Sequence, residues 1–336
     1  MRVVKIKIAL LGSDEHKFSK VYTESVLEKL SQYGEVSERI DRSNIEKYSD
    51  FLNDCEVAFS SWGMIKFTEE EIRKYMPKLK FLFYSAGTVQ YFAEPFLACG
   101  VRVFSAFAAN AVPVAEYTVS QITLALKGYF QSAKRYKSCL PYSFIHSQKC
   151  TGAFRAKVGL VGLGTIGSLV AERLKNSDLC VMAYDPFVSE EKAEKLGVTL
   201  TDLETIFREC DVISNHLANK KELKNIFDGK YFKLMKKHST FINTGRGNQV
   251  DEFALASSLI LHPSRTAVVD VLKNEVFPYI SPLFWCPNAI ITPHIAGSLG
   301  NETERMAFYM IEQLENWLSG KETQYEVTED MLKTMA

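Results

Sequence analysis

The sequence Gly162-Leu-Gly-Thr-Ile-Gly167 follows the apolar run Lys157-Val-Gly-Leu-Val161 without a break and opens the amphipathic stretch Thr165–Leu174. No other feature restricts the fold as strongly. Glycine at the first position permits a tight turn, and at the second it lets backbone approach a bound group. At the third it lets helix and strand lie close together. A strand, a glycine turn and a helix in that order open a βαβ unit with parallel strands.

Short apolar runs alternate with amphipathic stretches elsewhere too, which predicts further βαβ units and an α/β fold. Ahead of residue 108, strands are expected near Lys5–Leu11, Val57–Ser60, Phe81–Tyr84 and Val101–Phe104, with helices such as Lys20–Gln32 and Thr68–Met76 between them. Gly12-Ser13-Asp14 is an ordinary loop, so this part carries no phosphate cradle. A second series starts at Lys157, with strands expected at Lys157–Val161, Cys180–Tyr184, Val212–Asn215, Thr240–Asn243, Ala267–Val271 and Ala289–Thr292.

A chain of 336 residues exceeds what one core usually organises. The change of character comes at Ala108-Ala-Asn-Ala-Val-Pro113, where Pro113 suits the first turn of a helix. Val114 to Lys134 reads as one long, mostly apolar helix, and Ser138–Thr151 as a loop. An amphipathic helix near Gly300–Ser319 can return the chain to its first domain. The expected division is a discontinuous outer domain, residues 1–108 with 306–336, around a central doubly wound parallel sheet in residues 109–305.

Charge and cysteine usage narrow the function classes. Forty Lys+Arg balance forty Asp+Glu, which argues against a dedicated nucleic-acid binder. The runs Lys220–Lys221 and Lys236–Lys237 read as solvated helix faces. No apolar window reaches the length of a membrane span, and the alternating Met1–Leu10 reads as a strand rather than a signal peptide. Seven cysteines without CxxC spacing read as mostly buried, reduced thiols of a cytoplasmic protein, with no metal site.

The helix opening at Thr165 and Ile166 offers unpaired N–H groups and a positive dipole end, which suit a pyrophosphate held over Gly162, Gly164 and Gly167. Asp185 closes the next apolar run, where a carboxylate accepts hydrogen bonds from ribose hydroxyls and repels a 2′-phosphate. Pro186 and Phe187 follow it, not a basic residue, so the expected cofactor is NAD rather than NADP. The bland alternative is a structural βαβ turn with an exposed aspartate.

Three charged groups stand past the later runs: Arg246 in Phe241-Ile-Asn-Thr-Gly-Arg-Gly, Glu275 a little beyond Asp270, and His294 in Thr292-Pro-His-Ile-Ala-Gly297. Singly, they could be a surface ion pair, a loop acid and a satisfied histidine. Together they supply what reversible carbonyl reduction needs. Arginine binds a carboxylate bidentately and polarises the neighbouring carbonyl. Imidazole exchanges a proton near neutral pH, and an adjacent carboxylate orients it and supports its charge.

These stretches, with Val158–Gly167, Tyr184-Asp-Pro186 and Asp211-Val-Ile-Ser-Asn-His216, closely resemble the D-isomer-specific 2-hydroxyacid dehydrogenases in order and spacing over roughly residues 80–320. The resemblance implies two Rossmann-like domains, an NAD-binding one and a flavodoxin-like substrate domain, with the active site in a cleft between them. It implies Arg246, Glu275 and His294 as the catalytic set, with His294 and Arg246 also meeting cofactor and substrate. It places Thr244, Gly245, Asp270 and Gly297 along the nicotinamide half and His216 on the adjacent loop. Ala86, Gly87 and Thr88 then form the loop whose N–H groups meet the substrate carboxylate, and Asn110-Ala-Val-Pro resembles the interdomain helix start, Asn110 being as well read as a helix cap. A homodimer formed through the apolar helix after Pro113 and the loop Ser138–Thr151 is implied too.

Departures exist. His216-Leu-Ala-Asn219 lacks the prolines frequent after this histidine, Val276 stands where proline is frequent, and Ser138–Thr151 lacks the usual Trp-and-Gly pattern. The expected function is interconversion of a small 2-oxo acid and a D-2-hydroxy acid. Alternatives are a glycerate, hydroxypyruvate or phosphoglycerate dehydrogenase of the same family and an NAD-sensing corepressor-like binding protein. Ser60-Ser-Trp62-Gly-Met-Ile-Lys66 offers one lysine, which gives a phosphate little support, and Trp62 could shape an apolar substrate pocket but reads more readily as a packing residue.

Overall fold

A computed structural model describes residues 6–138 and 149–332, and in it the apolar runs pair into two separate sheets. The chain divides into Met1–Asn110 with Ser298–Ala336, and Ala111–Gly297.

The first unit contains β1 (Ile6–Leu11), β2 (Gly34–Ile40), β3 (Val57–Ser60), β4 (Phe81–Tyr84) and β5 (Arg102–Ser105), all parallel, in the order β5-β4-β3-β1-β2. That is the flavodoxin-like order, reversing where β1 lies between β2 and β3. A short antiparallel strand, Glu326–Val327, covers the β5 edge. β3 and β4 are buried along their whole length, as strands covered on both faces must be, which is why they read as unbroken apolar runs. Leu82 and Phe96 lie in the core on one face and Phe59, Phe83 and Phe104 in the core on the other; Trp62 packs against both.

Helix Glu302–Leu318 adds Met306, Met310, Ile311 and Leu314 to the second of these cores. A division at residue 306 would cut this helix, so the unit resumes at Ser298 instead. β2 has no counterpart among the expected strands, because its edge position leaves Glu35 and Glu38 exposed and breaks the apolar run. The helix expected over Lys20–Gln32 is two, Glu15–Val21 and Glu24–Ser31, since Thr23 is extended between them.

Pro113 does not open its helix. Phe107–Leu126 is helical throughout, so Pro113 lies inside it and leaves the Ala109 carbonyl without its usual donor. Asn110 is correspondingly no cap; its Oδ1 accepts from Ser298 N at 3.1 Å. Gly128, at φ 64°, ends this helix, and a second runs Tyr129–Ser138, so the single helix expected over Val114–Lys134 is broken. The loop expected over Ser138–Thr151 lies, its ends apart, outside the described residues.

The second unit contains β6 (Lys157–Val161), β7 (Cys180–Tyr184), β8 (Thr199–Leu200), β9 (Val212–Asn215), β10 (Thr240–Asn243), β11 (Thr266–Val269) and β12 (Ala289–Ile291). All are parallel, in the order β12-β11-β10-β9-β6-β7-β8, a doubly wound sheet that reverses between β6 and β9. Asp211 anchors its lower edge: the buried carboxylate accepts from Lys157 N (3.0 Å) and Thr151 Oγ1 (3.1 Å), and pairs with Lys236 Nζ. Lys236 thus serves an ion pair after helix Gly229–Leu234, not a solvated helix face. Among the described cysteines, Cys55, Cys210 and Cys286 are buried, whereas Cys180 is exposed at the start of β7.

Candidate active site

Strand register sets the site. Val161 pairs with both Tyr184 and Asn215, Asn215 with Asn243, Asn243 with Val269, and Val269 with Ile291. The residues one step beyond, Asp185, Gly162, His216, Thr244, Asp270 and Thr292, therefore form a row along the C-terminal edge, where such sheets bind ligands.

The glycine turn has the shape a dinucleotide requires. Gly162 has φ 96°, and a Cβ there would lie 2.8 Å from the His216 carbonyl oxygen. A Cβ on Gly167 would lie 2.0 Å from the Gly162 oxygen, so strand and helix meet only because it is glycine. Beside Gly164 there is open space, and this residue caps the helix without a side chain. Thr165 and Ile166 N–H have no acceptor among the described residues. Asp185, half-buried, accepts from Leu163 N (2.8 Å) and Phe187 N (2.9 Å) and keeps lone pairs for further donors; Pro186 is exposed beside it.

His216 is 8% exposed. Its Nε2 pairs with Ser214 Oγ at 2.9 Å, while its Nδ1 is buried with no partner among the described residues. Burial pushes its pKa down to about 4, so the ring is neutral at physiological pH. An orphaned polar atom, an open glycine and free helix N–H groups fit a bound dinucleotide.

Arg246, Glu275 and His294 come from three loops of this unit. His294 Nδ1 lies 3.0 Å from Glu275 Oε2, both side chains being about half exposed (50% and 44%). Arg246 is half-buried and donates from Nη1 to Gly245 O at 2.8 Å. Burial lowers its pKa and the nearby Glu275 charge opposes that shift, so the guanidinium remains a cation.

Asp270 braces the histidine loop. His294 has φ 55°, a left-handed conformation costly for a residue with a Cβ. Its N–H donates to Asp270 O (2.9 Å) and Thr292 O (3.0 Å). The Asp270 carboxylate, 2% exposed, accepts from Thr292 Oγ1 (2.6 Å), Ile295 N (2.9 Å) and Ala296 N (2.9 Å). Nothing in Val268-Val-Asp-Val shows where a carboxylate will find donors, so this role leaves no mark in the sequence.

Thr244 Oγ1 lies 3.4 Å from Thr118 Oγ1 and Gly245 N donates to Asn243 Oδ1 (3.1 Å), while Gly297 ends the unit. Tyr117, absent from the sequence reading, pairs its hydroxyl with Thr292 Oγ1 at 3.1 Å. Ala86, Gly87 and Thr88 belong to the first unit, at the end of β4. Ser105 Oγ donates to the Ala86 carbonyl (3.0 Å), and the Gly87 and Thr88 N–H groups have no acceptor among the described residues. Among the described residues no His, Cys, Asp and Glu cluster is placed to hold a metal, and no helix is long and apolar enough to cross a membrane.

Residues 129–296 match the sequence family described as D-isomer specific 2-hydroxyacid dehydrogenase, NAD binding domain. D-3-phosphoglycerate dehydrogenase of Archaeoglobus fulgidus is 32% identical over 223 residues, 66% of this chain and 42% of that protein. (S)-sulfolactate dehydrogenase of Chromohalobacter salexigens is 32% identical over 216 residues, 64% of this chain and 69% of its own length. The match thus spans less than half the length of the phosphoglycerate dehydrogenases. Among solved structures, the D-isomer specific 2-hydroxyacid dehydrogenase from Lactobacillus delbrueckii ssp. bulgaricus in its NAD complexed form has TM-score 0.76 at 22% identity, over 96% of this chain and 100% of that one. At that identity the likeness is one of fold.

Proposed function

The chain belongs to the D-isomer specific 2-hydroxyacid dehydrogenase family, and from that premise we propose that it interconverts a 2-oxo acid and a D-2-hydroxy acid with NAD as cofactor. The observation that carries this reading is the His294–Glu275 pair, 3.0 Å apart, on the same sheet edge as the glycine turn. The chemistry a bound nicotinamide would supply is the hydride, given in reduction and accepted in oxidation.

The chain's own residues do the rest. Arg246 holds the substrate carboxylate with its fork of donors and places positive charge beside the carbonyl oxygen. As that oxygen gains negative charge, protonated His294 donates its Nε2 proton to it; in oxidation Nε2 takes the proton from the hydroxyl. Glu275 accepts from Nδ1–H, which fixes the ring and leaves Nε2 for the substrate. Gly162, Gly164, Thr165, Ile166 and Gly167 would hold the pyrophosphate, and Asp185 the adenosine ribose. The free Gly87 and Thr88 N–H groups are suited to a carboxylate. We take the enzyme to be cytoplasmic and a homodimer; light scattering checks the dimer.

A phosphorylated 2-hydroxy acid is the second reading, favoured by the names of several relatives. NADH oxidation against a panel of 2-oxo acids, 3-phosphohydroxypyruvate included, decides between them. Turnover of at least one member with a D-hydroxy acid product is expected. Inactivity across the panel with tight NADH binding would contradict the enzyme reading and favour a cofactor-sensing protein.

A further inference from the structure

Three amides are buried beside the site, and the chemistry above uses none of them. Asn215, Asn243 and Gln249 are each no more than 1% exposed. Asn215 ends β9, Asn243 ends β10, and Gln249 lies in the short turn Gly247–Gln249. Asn215 Nδ2 donates to Asn243 Oδ1 (2.9 Å) and to Gln249 Oε1 (2.7 Å). Gln249 Oε1 also accepts from Arg246 N (3.3 Å), and Asn215 Oδ1 from Leu217 N (3.0 Å). Gln249 Nε2 donates to two carbonyls, Leu217 O (3.2 Å) and Ala218 O (2.8 Å). Polar groups this deep are costly unless paired, and a network paired this fully admits one arrangement of its loops.

The loops it joins matter. One carries Arg246. The other, His216–Ala218, sets its His216 carbonyl directly against Gly162, whose Cβ position lies 2.8 Å away. That loop has no proline to stiffen it. Its Leu217 and Ala218 carbonyls are held instead by the Gln249 side chain, from a turn that is distant in sequence.

We propose that Gln249 is a positioning residue for the dinucleotide site: it clamps the Leu217 and Ala218 carbonyls and so fixes the wall that His216 presents to the glycine turn. This rests on the assignment of NAD to that turn. Gln249→Leu removes both donors and strips Asn215 Nδ2 of an acceptor, so the loop gains freedom that a bound cofactor must then remove. Gln249→Glu keeps the acceptor and the shape but loses the donors, and serves where the leucine variant fails to fold.

The test uses the full chain and reads NADH affinity by fluorescence titration, hydrogen exchange over residues 217–223, and the melting temperature. Both variants, folded, should bind NADH at least about tenfold more weakly than wild type, with faster exchange in that segment. Ala218→Pro placed in the Gln249→Leu background should recover much of the loss. Proline stiffens the loop without needing the donors, and the Ala218 N–H has no acceptor among the described residues to forfeit. A merely structural residue would lower the melting temperature and leave the affinity of the folded protein intact. NADH affinity within about twofold of wild type in folded Gln249→Glu, or weaker binding with no change in exchange, overturns the proposal. Absence of NADH binding by the wild type would instead overturn the assignment of the turn.

Discussion

His294 occupies a backbone conformation that few residues with a side chain tolerate, and Asp270 sustains it through backbone and carboxylate together. Strain held this firmly fixes where the imidazole projects, and Glu275 then fixes the ring. Arg246 has a different task, for which geometry counts as much as charge. Lysine keeps the charge but not the planar fork. Arg246→Lys is therefore expected to raise KM for the 2-oxo acid by about 10- to 100-fold, the worth of one charge-assisted hydrogen bond, while NADH affinity changes far less. Steady-state kinetics with a parallel NADH titration checks it, and an unchanged KM would remove Arg246 from the carboxylate. The positions of Arg246 and His294 past the ends of β10 and β12 were legible in the sequence, because each stands just past an apolar run. The Asp270 brace and the Asn215–Asn243–Gln249 cluster were not, because hydrogen-bond partners from separate strands leave no mark in local pattern.

At the scale of elements, the strand–turn–helix at β6 was legible almost residue for residue, since three glycines and an apolar run leave one local solution. Its glycines are not equivalent, and this can be measured. Gly164 faces open space, so Gly164→Ala is expected to fold normally and to lose NADH affinity by at least about tenfold, its methyl standing where the pyrophosphate would lie. Gly167→Ala meets the Gly162 carbonyl at 2.0 Å and is expected to lower the melting temperature sharply even without cofactor. Thermal melts and NADH titrations of the two variants separate a cradle from a packing position; equal effects on both readouts would contradict the distinction. Less local features were misread. Pro113 looked like a helix start, yet Phe107–Leu126 runs through it because neighbouring residues bury enough of the helix to outweigh one missing hydrogen bond. β2 leaves no apolar signature, because an edge strand needs no continuous apolar run.

For the molecule as a whole, alternating patterns announced two α/β units, and their strand orders follow the two doubly wound types. The point at which the chain resumes the first unit was not readable, because helix Glu302–Leu318 is amphipathic and would suit either sheet by pattern alone. Stability should carry the signature of buried His216. Its pKa is lowered to about 4 in the fold and returns to its ordinary value when unfolded, so the unfolded chain binds the extra proton first as pH falls. Stability is thus fully present above about pH 6.5 and declines toward pH 4, by about 3 kcal/mol from this residue. Denaturant unfolding without cofactor across that range should show a slope that His216→Gln reduces; identical slopes would mean the ring is not buried neutral.

The central claim is that His294 moves the proton in an NAD-dependent reduction. It is tested most directly by the turnover number of His294→Ala at saturating NADH and 2-oxo acid, with melting temperature and NADH affinity taken alongside. We expect NADH affinity and fold to persist and turnover to fall by about 10²- to 10⁴-fold, the usual worth of a positioned acid–base group. A folded, NADH-binding His294→Ala protein that still reduces its 2-oxo acid at close to the wild-type rate would contradict the account.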